Sequence, residues 1–324
     1  MTAQIRELIR YATLAPSGHN TQPWRFIIKG DTVQIKPDYT RRLPVVDPID
    51  RELWISLGCA VENFIIAANS TGLKTEITYP SLEADFITLK IVPLRSLVPS
   101  STIVSGKLLP AIARRQNTRS LYEGRSVPIS DMKRVYKVES EAGVSNLIFT
   151  DSAPKEAILE YIRQGDLRQF ANPLFVDELV NWIRFNKSEA LHSLDGLYSS
   201  CSGNPVVPRW LGKLFVTTKG GKQQSDKDAK TVRSSSGLIV ITAEKDDKRH
   251  WIATGRLYER LALTLTELNI KTAFVNQPIE VTELRSQLQS YLNIGTSLPQ
   301  LILRFGHAAP MPQSLRRPLE EVIV

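Results

Sequence analysis

Ile5, Leu8, Ile9 and Ala12 recur at the spacing of one helix face near the start of the chain. Pro16 disfavours the α conformation at Ala15, so this helix is expected to end near Leu14. Trp24 to Ile28 is rich in strand formers, Lys29 to Thr32 offers a Gly-Asp turn, and Val33 to Ile35 reads as the returning strand. A long helix follows. Asp47 reads as its N-cap, with Pro48 at the first helical position and Asp50 in the first turn. Leu53, Trp54, Leu57, Ala60, Val61, Phe64, Ile65 and Ala68 form its broad apolar stripe, and Gly72 supplies a left-handed end. Two strand-like runs come next, near 74–79 and 85–93.

The same order of signals returns 197 positions later. Trp54 meets Trp251, Gly58 meets Gly255, and Glu62 meets Glu259. Leu73-Lys74-Thr75 meets Ile270-Lys271-Thr272, and Gly72 meets Asn269, the other residue that tolerates a left-handed cap. A stop signal and a following strand that match without a gap point to an internal duplication. The expected units are 1–107 and 108–324, with 165–236 as an insertion that fits neither. It is either a lid over a site or a surface excursion. Its stretch 219–230, "KGGKQQSDKDAK", reads as polar and mobile.

Composition narrows the classes. The 324 residues are 42% hydrophobic and 23% charged, as in a globular protein. No apolar run approaches the ~18 residues of a membrane span, so no membrane partner is expected. Cys59 and Cys201 are too few for a disulfide framework, and a reducing cytoplasm is the expected location. The net charge of +8 is dispersed among few aromatics, so a nucleic-acid partner is not expected. A small phosphorylated ligand accounts for such charge equally well. No phosphate loop, dinucleotide fingerprint or nucleophile elbow is present, and the four histidines are scattered without metal spacing. No catalytic side chain and no metal is therefore assigned. A cofactor is expected to carry any chemistry.

Two stretches stand out. "RRQNTRS" puts Arg115, Asn117 and Arg119 at alternate positions, which share a face if the segment is extended. Two guanidinium forks and an amide suit a phosphate. "LAPSGHNTQPWRF" breaks the first helix into small polar residues ending at Trp24. "APSGHNTQPWRF" resembles the P-S-x-x-N-x-Q-P-W motif of FMN-dependent nitroreductases. "RRQNTR" resembles their phosphate-binding R-x-S-x-K/R element, with Asn117 where Ser is usual, and "LRRP" near the C-terminus resembles their second basic clamp. The long helix together with "PQLILRFGHAAPMPQSLRRPLEEVI" is most similar to the Acg-type branch, in which two nitroreductase units are fused.

The resemblance implies an α+β, nitroreductase-like fold, with two tandem units in one chain mimicking the family homodimer under a lid-like insertion. Each half keeps only part of the kit. The first has Pro16, Ser17, Gly18, Asn20 and Gln22, and the second has Arg115, Asn117, Arg119, Arg316 and Arg317. The expectation is one FMN per chain between the halves, in a monomer that needs no partner copy. Asn276 and Gln277 in "FVNQP" are placed by resemblance beside the reactive flavin nitrogen. Trp24 and Trp54 read as core residues, and Glu62 as structural. The implied activity is hydride transfer from transiently bound NAD(P)H through FMN to a small nitroaromatic or quinone-like acceptor. The rival is storage or sequestration of FMN without turnover, and the insertion decides between them.

Overall fold

The computed structural model describes residues 2–81, 84–93 and 100–324. The first half runs α1 (Thr2–Ala12), β1 (Trp24–Lys29), β2 (Thr32–Pro37), α2 (Arg51–Ser70), β3 (Leu73–Thr78), β4 (Ile87–Pro93) and α3 (Ser100–Arg114). The second begins with α4 (Ile129–Tyr136) and β5 (Val144–Phe149). A long excursion carries α5 (Ser152–Ala171), α6 (Pro173–Trp182), β6 (Ile183–Arg184), α7 (Lys187–Ser193), β7 (Leu197–Tyr198) and α8 (Arg209–Arg233). Then come β8 (Gly237–Ala243), α9 (Lys248–Glu267), β9 (Lys271–Phe274), α10 (Gln277–Glu280), α11 (Thr282–Leu292), β10 (Leu298–Gly306) and α12 (Leu319–Val322).

The class is α+β. Two four-stranded antiparallel sheets carry the same strand order, β1-β2-β4-β3 and β5-β8-β10-β9. Gly30 and Asp31 join β1 to β2, whereas residues 150–236 join β5 to β8. The helices α2 and α9 pack on each other between the sheets through reciprocal glycine contacts. A Cβ on Gly58 would stand 2.2 Å from the Ile252 carbonyl oxygen, and one on Gly255 would stand 2.0 Å from that of Ile55. Positions 55 and 252, like 58 and 255, differ by the repeat interval, so the contact has two-fold character. One apolar core runs through both halves, with Trp24, Trp54, Phe64, Leu257 and Phe305 among its members. Gly72 (φ 75°) and Asn269 (φ 59°) both end their helices in the left-handed region.

Several local expectations shift. α1 closes at Ala12, and Leu14 and Ala15 make tighter bonds to Tyr11 and Ala12. α2 starts at Arg51 because Asp50 is left-handed (φ 60°). Asp47 still caps it across that turn, and its Oδ2 accepts from Leu53 N at 3.0 Å. α2 is also long and apolar enough to cross a membrane by length and composition, with a mean hydropathy of 1.3, yet it is a buried core helix. The stretch 219–230 is helical within α8. Ala229 and Val232 pack against Ile158, Leu159 and Ile162 of α5, and that burial overrides weak helix propensity.

The chain's last residues return to the first sheet. Ile323 bridges Phe26, and Val324 N donates to Phe26 O at 2.9 Å. The tail thereby lies along β1, and Arg316, before α12, reaches the carbonyls that follow α1.

Candidate cofactor-binding cavity

Two adjoining chambers, of about 80 and 250 Å3, lie between the halves. Pro16, Ser17, Asn117, Arg119, Leu197 and Ser202 line both. The first wall is the broken end of α1. His19 (φ 47°), Asn20 (φ 56°) and Gln22 (φ 54°) are all left-handed, at about 1–3 kcal/mol of strain each. The surroundings hold them there. Gln22 N donates to Ser17 Oγ at 2.9 Å, and Gln22 Nε2 to Leu194 O at 2.9 Å. Asn20 Nδ2 donates to Gly196 O and Leu315 O at 3.1 and 3.3 Å. The loop is thus fixed by the excursion on one side and the tail on the other.

The smaller chamber is cationic. Arg316 donates to the carbonyls of Thr13, Leu14 and Ala15 at 3.0, 3.2 and 3.1 Å, and to Asn20 Oδ1 at 3.0 Å. The three carbonyls follow the open end of α1, where a cation is favoured. Burial and the neighbouring Arg115 nevertheless press against its charge. Arg115 is buried too and pairs with Glu259 at 3.2 Å, while its Nη2 donates to Leu14 O at 2.9 Å. Among the described residues Arg119 donates to Ser202 Oγ alone, at 3.4 Å. Among the described residues neither Arg119 nor Arg316 has an ion-pair partner. The buried Asn117 Oδ1 has no hydrogen-bond partner either.

The expected residues divide as follows. Pro16, Ser17, Gly18, Asn20, Arg115, Asn117, Arg119, Asn276, Gln277 and Arg316 line one or both chambers. Gln22 and Arg317 do not. Arg317 N donates to Gln22 Oε1 at 2.8 Å behind the wall, and the Arg317 guanidinium pairs with Glu321. Asn20 belongs to the smaller chamber and is occupied in holding Arg316. The segment from Arg115 is not uniformly extended, because Arg115 N still completes a helical bond to Ala111 O at 2.8 Å. Asn117 begins the extended part by bridging Thr272 of β9. Asn276 ties this wall to β10, with its Oδ1 accepting from Ile302 N at 2.8 Å.

The larger chamber also holds groups that no motif in the chain singled out. Glu52, Asp166, Asp228 and Glu280 line it, from α2, α5, α8 and α10. Gln277 Nε2 spans two of them, donating to Asp166 Oδ1 at 3.1 Å and Asp228 Oδ2 at 2.8 Å. Burial raises all four carboxyls, and mutual repulsion raises Asp166 further; Glu52 reaches about 8. His19 is pushed down to about 4 by burial and Arg119, and is neutral near pH 7. Arg304 and Lys227 add positive charge, while Phe170, Phe175 and Leu179 supply apolar wall. The four carboxylates come from four separate helices, so no spacing in the chain could have announced their meeting.

No family model matches the chain. Over nearly its whole length it resembles nitroreductase-type proteins. It is 24% identical over 334 residues to a Mycobacterium tuberculosis protein, covering 98% of this chain and 90% of the relative. It is 23% identical to "Putative NAD(P)H nitroreductase acg" of the same organism, covering 99% and 95%. The first carries the same NAD(P)H nitroreductase description. Among solved structures, the FMN-dependent nitroreductase NfnB of Mycobacterium smegmatis, in complex with NADPH, aligns at 12% identity. That alignment covers 66% of this chain and 97% of that one, with a TM-score of 0.43. The similarity to the acg relative extends across 99% of the chain.

Proposed function

We propose that the cavity binds one FMN per chain and that the protein is an NAD(P)H-dependent oxidoreductase reducing a nitroaromatic or quinone-like acceptor. The observation that carries this reading is the pair Arg119 and Arg316, two guanidinium groups at one chamber without a carboxylate between them. A cation so placed is costly until an anion joins it. A phosphate monoester fits, since it presents acceptors to both forks. The larger chamber, walled by Gly18, Ile55, Cys59 and Phe274 with Asn276 and Gln277 at one side, suits a flat ring system with polar edges. FMN would supply the hydride chemistry. The chain's own residues would bind the phosphate, orient the ring and exclude water.

In this reading 1–107 and 108–324 are the two units, with α3 crossing from one into the other, and 165–236 is the lid over their shared site. The chain is sufficient as a monomer and acts in the cytoplasm on a small molecule. The second reading, FMN sequestration, has support of its own. Asp166, Gln169 and Phe170 of α5, Phe175 and Leu179 of α6, and Gln224 and Lys227 of α8 all line the larger chamber from the excursion. Helices that stay in place over a bound ring would limit the access of a nicotinamide to it.

The purified protein is expected to be yellow or to take up added FMN. A colourless protein that ignores FMN would defeat both readings. Anaerobic NADPH or NADH then separates them: bleaching of the flavin band supports the reductase, and an unchanged band supports sequestration. R119A with R316A is expected to weaken FMN binding by at least about a hundredfold, from the loss of two charge-assisted bonds worth about 1.5–3 kcal/mol each.

A further inference from the structure

We propose that the outward face at the start of α8 docks the protein on an anionic lipid bilayer. The helix is built inside out. Its packed side is glycine: a Cβ on Gly212 would lie 2.1 Å from Phe185 Cδ1, and one on Gly220 would lie 2.3 Å from Phe170 Cε1. Its solvent side is large and apolar. Trp210 is 70% exposed, Leu211 40%, Leu214 52% and Phe215 50%. An amphipathic helix of a soluble domain turns these residues inward. Here the glycines let the helix close on two phenylalanine rings while the aromatic and leucine side chains face out.

Charge identifies the occupant. No Asp or Glu lies between Asp195 and Asp226, while Arg209, Lys213, Lys219 and Lys222 do. Arg209 is engaged by Glu189 at 2.9 Å, and Lys213 and Lys222 are exposed. A second copy seated on this face about a two-fold axis would set these cations against themselves. An anionic membrane surface complements them. Trp and Phe suit the boundary between headgroups and acyl chains, with lysines reaching up beside them. The expectation of no membrane partner rested on the lack of a spanning run, and an interfacial helix needs none. The same helix continues to Gln224, Lys227 and Asp228 in the roof of the larger chamber, so docking sets the bilayer against the excursion that covers the cavity. The proposal does not depend on FMN.

The test is co-sedimentation of the full chain with vesicles of phosphatidylglycerol and phosphatidylcholine, against phosphatidylcholine alone. Binding is expected to the anionic vesicles, falling as salt rises. K213E/K222E is expected to weaken it by about thirtyfold, at about 1 kcal/mol per lysine charge removed and further repulsion added. W210S/F215S is expected to abolish it while the melting temperature is retained, because both side chains are exposed. Absence of co-sedimentation, or W210S/F215S binding like the parent, would overturn the proposal. So would a dimer in sedimentation equilibrium that W210S/F215S dissolves while vesicles bind nothing.

Discussion

Asp166 and Glu52 illustrate what it costs to place acids in a closed chamber. Their carboxyls are raised in the folded chain, chiefly by burial. The folded state therefore holds protons that the unfolded state has released. Stability is greatest below the ordinary carboxylate range and declines as pH rises, for Glu52 from about 4.5 through about 8. D166N removes one such titrating carboxyl and is expected to raise the melting temperature at pH 8 more than at pH 5. Equal shifts at both pH values would show that the carboxyl is ionised throughout. Asp246 behaves oppositely. It is held down by hydrogen bonds from Arg285, the Trp251 indole and Gln300, and its contribution is lost only as pH falls below the normal aspartate value of 3.8.

The contact of α2 with α9 depends on two residues without side chains. G58A puts a methyl against the Ile252 carbonyl, where backbone rather than a flexible side chain must yield. G255A does the same at Ile55. Each is expected to lower unfolding free energy by about 1–3 kcal/mol in urea titration, as overpacking does. The two effects are expected to match, because the contacts are related by the repeat. The loop after α1 is a different kind of element, held rather than self-supporting. Gln22 is fully buried and bonds Leu194 O and Arg317 N across it. Q22A leaves those groups unpaired at about 1–3 kcal/mol. It is expected to weaken FMN binding without removing any group that lines the cavity, as an FMN titration of the variant would show.

At the scale of the molecule, a chain with two similar halves invites two sites. The repeat's counterpart of Glu259 is Glu62, and their surroundings differ. Glu259 faces Arg115 at the cavity wall, whereas Glu62 is held by Arg256 at 2.9 Å and Arg260 at 3.7 Å, with Glu141 joined to both arginines. The carboxylate and its neighbours are already neutralised there, so nothing on that side calls for an anion. Titration of the protein with FMN is accordingly expected to saturate at one equivalent per chain. Two equivalents would mean that this ion cluster opens to admit a second ligand.

The sequence by itself determined the elements that local chemistry controls. The helix stripes, the left-handed stops at Gly72 and Asn269, the first hairpin and the 197-residue repeat all follow from spacing and backbone preference. The cationic motif and the broken helix end were legible for the same reason, since each is a short run of adjacent residues. Only the tertiary structure could decide which of these residues meet. It turned Gln22 and Arg317 away from the cavity and toward each other, and it gave Asn20 to Arg316. It gathered Glu52, Asp166, Asp228 and Glu280 from four helices into one chamber. It also folded the polar stretch 219–230 into α8 and left Trp210 and Phe215 facing out. The physical reason is burial, which acts on whichever surfaces the packed helices bring together. Spacing along one helix does not encode what packs against it.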